Sequence, residues 1–165
     1  MNAEPILGRV ARALRDCRLD AILIGNAAAA LQGAPVTTLD FDFMIRNTPL
    51  NIKALRTLAT ALDLSFSQPY YPASDLYRLV NDETGLQLDF MTAMHGVRSF
   101  ESLCSAAVEV SFRKAKLHVA DLKDIIRSQR ALGRRKDLAG LELLEATQDE
   151  KERQKKGKAK AGRGE

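Results

Sequence analysis

Cysteine is scarce: the 165 residues hold only Cys17 and Cys104, with no C-x-x-C spacing. That excludes a disulfide framework and makes a reducing compartment, the cytoplasm, the expected location. Neither thiol has a visible activating neighbour, so neither is expected to be a nucleophile. Long apolar runs are missing too. None reaches the roughly 18 residues of a membrane span, and the first residues lack the apolar stretch of a signal peptide. A soluble chain with no membrane partner is expected. There is also no large excess of one charge. Lys and Arg number 25 against 21 Asp and Glu, a net +4. Residues 149–165 hold seven of those cations and four of the acids, +3 in all, which leaves +1 for the rest. The body is therefore not a strongly basic nucleic-acid-binding module. Internal repeats are absent.

What remains is the composition of an ordinary globular chain, 45% hydrophobic and 28% charged, long enough for one cored domain. Residues 5–18 carry Ile6, Val10 and Leu14 on one helical stripe, and Pro5 suits the first turn. A short apolar strand, 21–24, stops at Gly25-Asn26. An alanine-rich helix follows at 27–32 and ends at Gly33. Residues 39–45 alternate Leu39, Phe41, Phe43 and Ile45 with Asp40, Asp42 and Met44, the period of a strand with one buried face. A helix is expected over 51–62 and a short strand over 64–67. Tyr70, Tyr71 and Pro72 fall in a loop. Residues 76–80 and 86–91 read as two strands of a hairpin joined by 81–85, the second carrying a lone acid, Asp89. A short helix at 99–105, strands at 108–112 and 117–119, and a helix from Asp121 to Gly133 come next. In that helix Leu122, Ile125, Ile126 and Leu132 lie opposite Lys123, Arg127 and Arg130. After the basic turn 134–136, Asp137 is expected to cap a last helix to about Thr147, with Leu138, Leu141, Leu143 and Leu144 as its apolar stripe. One domain is thus expected over 1–147, and a disordered Lys-rich tail over 148–165. Elements in this order suggest an α+β fold, an α/β mixed sheet with helices packed on one face and a C-terminal helical pair. His95 and His118 read as a loop residue and a strand residue.

Asp40 and Asp42, two apart on a strand, share a face and can share hard cations such as Mg²⁺. They can equally be a surface pair on an edge strand. Asp89, on the non-core face of another strand, tips the balance towards a cation site, provided the two strands are neighbours. Three carboxylates holding two metal ions would suit an in-line phosphoryl displacement, with one carboxylate taking the attacking hydroxyl's proton. The Gly25-Asn26 turn would offer backbone N–H groups to a phosphate.

The set Ile24-Gly25-Asn26, Thr38-Leu39-Asp40-Phe41-Asp42 and Leu88-Asp89-Phe90, followed by Lys136-Asp137 in a helical pair, resembles the minimal nucleotidyltransferases of the DNA-polymerase-β-like superfamily. Within it, the chain looks similar to the bacterial toxin-type group of toxin–antitoxin and abortive-infection systems. The resemblance covers roughly residues 20–145. It implies that Asp40, Asp42 and Asp89 bind two Mg²⁺ ions and that Asp89 activates the acceptor. It implies also that Gly25 and Asn26 line the NTP phosphates, ATP among the candidates. The expected activity is transfer of an NMP to a hydroxyl of an RNA (tRNA), a protein or a small molecule, and a cognate antitoxin or toxin is the implied partner. The sequence departs from the pattern at Asn26, where Gly or Ser is usual, and at Gln129, where many relatives have Lys. Lys123, Arg127 and Arg130 are the candidates to supply the missing phosphate-binding cation. The departures keep a second reading open: a weak or inactive member of the fold that binds nucleotide or a partner protein.

Overall fold

Alternation in the strand sequences and the paired faces it creates are realised in one seven-stranded mixed sheet, ordered β3-β4-β5-β2-β1-β7-β6. The computed structural model describes residues 3–69 and 75–162; Tyr70, Tyr71 and Pro72, assigned to a loop above, lie outside them. In chain order the elements are α1 (Ala3–Asp16), β1 (Ile22–Ile24), α2 (Gly25–Leu31), β2 (Asp40–Met44), α3 (Pro49–Leu62), β3 (Ser65–Ser67), β4 (Leu76–Asn81), β5 (Leu86–Met91), α4 (Phe100–Ala106), β6 (Val108–Phe112), β7 (Ala115–Val119), α5 (Leu122–Leu132) and α6 (Arg135–Ala161). β2 runs antiparallel to β1 but parallel to β5, and β4 and β5 form the expected hairpin. Among the described residues no helix is long and apolar enough to cross a membrane.

The core lies on the face of β2 and β5 that carries Phe41, Phe43, Leu88 and Phe90, all buried. Phe43 and Phe90 stack with ring centroids 5.0 Å apart, an offset pairing that adds about 0.5–1.5 kcal/mol to the burial of two rings. Leu7, Val10 and Leu14 of α1 are buried where that helix meets β7, β6 and α3. α3 starts as its sequence directs: Thr48 accepts a hydrogen bond from the Asn51 N–H at 3.2 Å, and Pro49 occupies the first turn. The burial of Ala27, Ala28 and Ala29 shows why α2 is built from small residues, for the helix lies directly against β1, β2 and α5.

Four expectations change. The Gly25-Asn26 pair is not a turn ahead of α2 but its first two residues. The stripe on the last helix is narrower than the sequence suggests: Leu144 is fully buried and Leu141 partly, while Leu138 and Leu143 are exposed. Asp137 does not cap that helix; it sits in the first turn, held by Arg134. The largest correction concerns the tail. Residues 148–161, expected to be disordered, continue α6 as helix to Ala161. Polar tethers replace the apolar stripe there. The Lys151 Nζ donates to Gln32 Oε1 at 3.0 Å, Lys123 pairs with Glu152 at 3.2 Å, and Gln148 bonds Glu152 one turn on at 3.1 Å. Composition reports apolar burial, and these bonds contribute none.

Candidate active site

Three neighbouring strands set the geometry. Asp42 on β2 is the register partner of Asp89 on β5, and Asp89 is the partner of Arg78 on β4. One row across the sheet therefore reads Arg78, Asp89, Asp42. On its other side Asp42 pairs with Ile24, the last residue of β1. Two residues along, Asp40 is opposite Gln87. Side chains two apart on a strand share a face, so all three carboxylates stand opposite the phenylalanine core, as the alternation implied.

At the end of β1 the backbone turns sharply into α2. Gly25 takes φ +68°, and a Cβ there would lie 3.1 Å from Asp42 Oδ2. Glycine is required twice over, for the left-handed backbone and for the close approach of the carboxylate. Beyond it opens a cavity of about 470 Å³. Gly25, Asn26, Thr38, Asp40 and Asp42 form one wall, and His95, Ser128, Gln129, Arg134 and Lys136 contribute to the rest.

The carboxylates differ in environment. Asp40 is exposed, Asp42 is half-buried and Asp89 is buried. Burial pushes the Asp42 carboxyl up to about 6, reinforced by the negative charges of Asp89 and Asp40 and opposed by Arg78 and Lys136. Asp89 is held on both oxygens by the Arg78 guanidinium, at 2.8 and 2.9 Å, and its Oδ2 also accepts from Gln87 Nε2 at 3.0 Å. That fork in turn raises the Arg78 pKa above its usual value.

The donor set suits a hard divalent cation at Asp40 and Asp42. These are oxygen ligands on one face, and Asp42 carries negative charge that its neighbours do not fully compensate. Asp89 departs from the expectation of a three-carboxylate metal site. It is tied to Arg78, and among the described residues no three Asp, Glu, His or Cys side chains come together as a ready-made cation cage.

The cationic candidates on α5 are also redistributed. Lys123, Arg127 and Arg130 do not face the acids. They line a separate groove of about 540 Å³ between α5 and α6, where they pair with Glu152, Asp124 and Glu145 respectively. The face that α5 turns to the acids is the one bearing Ile125, Ser128 and Gln129. The positive charge in the acid-lined cavity comes from the α5–α6 junction, where Arg134 bonds Asp137 and Lys136 stands in the first turn of α6. The two departures from the family pattern meet: Gln129 Nε2 donates to Asn26 Oδ1 at 3.2 Å, tying α2 to α5. Arg78 was not among the expected site residues: a loop of 81–85 would set Tyr77 opposite Asp89, and only the observed pairing of Asn81 with Leu86 brings Arg78 there.

Neither a family model nor a curated protein sequence matches this chain. Solved structures do. The fold is that of the nucleotidyltransferases. The lincosamide antibiotic adenylyltransferase LnuA, solved with lincomycin, superposes with a TM-score of 0.62 at 9% identity over 89% of this chain and 98% of its own. The antibiotic-resistance factor ANT(2'')-Ia gives 0.61 at 10% identity, over 98% of this chain and 97% of that one. A candidate nucleotidyltransferase from Thermotoga maritima gives 0.59 at 17% identity, over 84% of this chain and 89% of its own. At these identities the likeness establishes the architecture, not the acceptor or the activity.

Proposed function

We propose that this protein is a Mg²⁺-dependent nucleotidyltransferase that moves an NMP group from an NTP to a hydroxyl acceptor. The observation that carries the reading is the placement of Asp40 and Asp42 on the open face of β2, with Gly25 against Asp42 and Asp89 in the adjoining strand. In the reaction the acceptor oxygen bonds to the α-phosphorus. The bond from that phosphorus to the bridging oxygen breaks, pyrophosphate leaves with the electron pair, and the hydroxyl proton passes to a carboxylate. Asp89 is the residue assigned to receive it. Two bound Mg²⁺ ions would supply charge neutralisation on the transferring phosphoryl group and the leaving oxygen. Asp40 and Asp42 would hold the cations, and Asp89 would add an oxygen to them only when its bonds to Arg78 open. Gly25 lets the phosphates approach the backbone, and Asn26 offers its side-chain amide beside them. Arg134 and Lys136 take the phosphate-binding role first given to Lys123, Arg127 and Arg130, because they line the same cavity as the acids.

The acceptor is a hydroxyl of RNA, with the tRNA 3′ end foremost, of a protein or of a small molecule, and a cognate antitoxin is the partner to seek. The test is incubation with each labelled NTP and Mg²⁺ in the presence of total RNA, lysate protein, or a panel of aminoglycosides and lincosamides. Transfer by the wild type, lost in Asp40→Ala and Asp42→Ala, is expected. Equal and negligible labelling by all three proteins sinks the proposal. A second reading, nucleotide binding without transfer, is favoured by the Arg78 fork on Asp89 and the Asn26–Gln129 bond. Calorimetric binding of NTP with no turnover in any acceptor pool would select it.

A further inference from the structure

We infer that the projecting end of α6, residues 153–161, is an arm that grips the phosphate backbone of a double-stranded RNA stem. The inference does not rest on the transferase reading, since the arm's contacts are separate from the chemistry of the cavity. α6 is tethered to the body as far as Glu152: Lys123 Nζ meets Glu152 Oε1 at 3.2 Å, and Lys151 Nζ reaches Gln32 Oε1 at 3.0 Å. Beyond those tethers every residue from Arg153 to Ala161 is exposed. There the helix carries Arg153, Lys155, Lys156, Lys158 and Lys160 and no acid. Arg153 pairs loosely with Glu150 at 3.4 Å, and among the described residues the four lysines are in no ion pair. Like charges repeat at helical spacing, Arg153 with Lys156, Lys155 with Lys158 and Lys156 with Lys160, an arrangement that destabilises an isolated helix. The repulsion reaches the tether: burial and then the Lys155 charge push the Lys151 pKa below its usual value, against the pull of Asp121. A bound polyanion relieves it.

Apolar content, charge density and charge distribution select the partner. A membrane-surface helix needs an apolar face and a stable protein interface needs an apolar core, but residues 153–161 hold only Ala159 and Ala161. A phosphate backbone needs neither, because release of its condensed counterions drives binding. The five cations lie along about 10 Å of helix, at about 1.5 Å per residue, or one per about 2 Å. That matches a duplex, with one phosphate per about 1.7 Å of axis, rather than a single strand, with one per about 3.4 Å. The arm also has no aromatic side chain on which an unpaired base could stack. At about 100° per residue, Arg153, Lys156 and Lys160 fall on one side of the helix and Lys155 and Lys158 on the other. Cations on both sides can meet two facing phosphate ridges, and the narrow major groove of an RNA helix brings such ridges together.

The experiment follows the fluorescence anisotropy of a labelled RNA hairpin with the full-length protein from about 50 to about 200 mM salt. With five phosphates neutralised the log–log slope should be about −4.5, so wild-type affinity should fall several hundredfold over that range. Lys155→Gln/Lys156→Gln/Lys158→Gln/Lys160→Gln should keep a slope of about −1 and bind at least about a hundredfold more weakly at the lowest salt. Arginine at the same four positions keeps the charges and should restore wild-type binding. Arg9→Gln/Arg18→Gln/Lys53→Gln/Lys114→Gln removes the same charge from exposed positions elsewhere and should bind within about threefold of wild type, because distant charges are screened. All the substituted side chains are exposed, and a thermal melt checks each fold. Wild-type affinity and slope in the arm's Gln variant, or an equal loss in the control, overturns the inference. So does equal or tighter binding of a DNA duplex or a single-stranded RNA of the same length, or retention on phosphatidylserine–phosphatidylcholine vesicles that the hairpin does not displace. RNA binding with no transfer to any acceptor would fail the transferase reading alone, and transfer with no RNA binding would fail this one alone.

Discussion

Asp42→Asn should stabilise the metal-free protein while abolishing transfer. The carboxyl of Asp42 is pushed from 3.8 up to about 6, first by burial and then by Asp89 and Asp40. A raised carboxyl pKa means that the folded state binds the proton more tightly than the unfolded chain, so the ionised form costs stability. Each pKa unit is worth about 1.4 kcal/mol, which makes the full cost about 3 kcal/mol; partial exposure reduces it to about 2–3 kcal/mol. That cost is complete above the folded value of about 6, shrinks as the pH falls from there towards 3.8, and is absent below it. Asparagine has the same shape and carries none of it. In denaturant unfolding with EDTA, Asp42→Asn is therefore expected to exceed wild type by about 2–3 kcal/mol at pH 7 and by about 1 kcal/mol at pH 4.5. Adding Mg²⁺ should raise the wild-type melting temperature and leave the variant's unchanged. A variant no more stable than wild type at pH 7, or an advantage that does not shrink on acidification, refutes the electrostatic account of the site.

Gly25→Ala forces an L side chain into φ +68° against Asp42 Oδ2, so denaturation should show a loss of about 1–2 kcal/mol, with nucleotide binding weakened as well. An unchanged midpoint would show that the turn tolerates a Cβ. Lys136→Ala should weaken NTP binding about tenfold or more, the loss of a charge-assisted contact, while Lys123→Ala should leave it unchanged; calorimetry with the reverse ranking would return the phosphate site to the outer face of α5. Leu144→Ala should cost about 2–5 kcal/mol in urea unfolding, because Leu144 is fully buried. Leu138→Ala and Leu143→Ala should stay within about 0.5 kcal/mol, and equal losses at all three would restore the broad stripe.

The sequence by itself determined the order of elements and the face on which the acids stand. A strand has only two faces, so Phe41 and Phe43 in the core oblige Asp40 and Asp42 to point the other way. The alternation of Leu86, Leu88 and Phe90 in β5 likewise fixed the side of the sheet on which Asp89 emerges. What the sequence did not determine is which strands and helix faces meet. That β5 lies beside β2 is a matter of sheet order, and only this adjacency sets Asp42 next to Asp89. The rotation of α5 decided that Gln129 faces the acids and that Lys123, Arg127 and Arg130 face α6; a one-dimensional helical stripe cannot name its neighbour. The same limit hid the last turns of α6, which hold by Lys151 reaching Gln32 from 119 positions away. Local periodicity specifies how each segment is patterned, but tertiary packing decides which polar groups come within bonding distance. The candidate site depends on both.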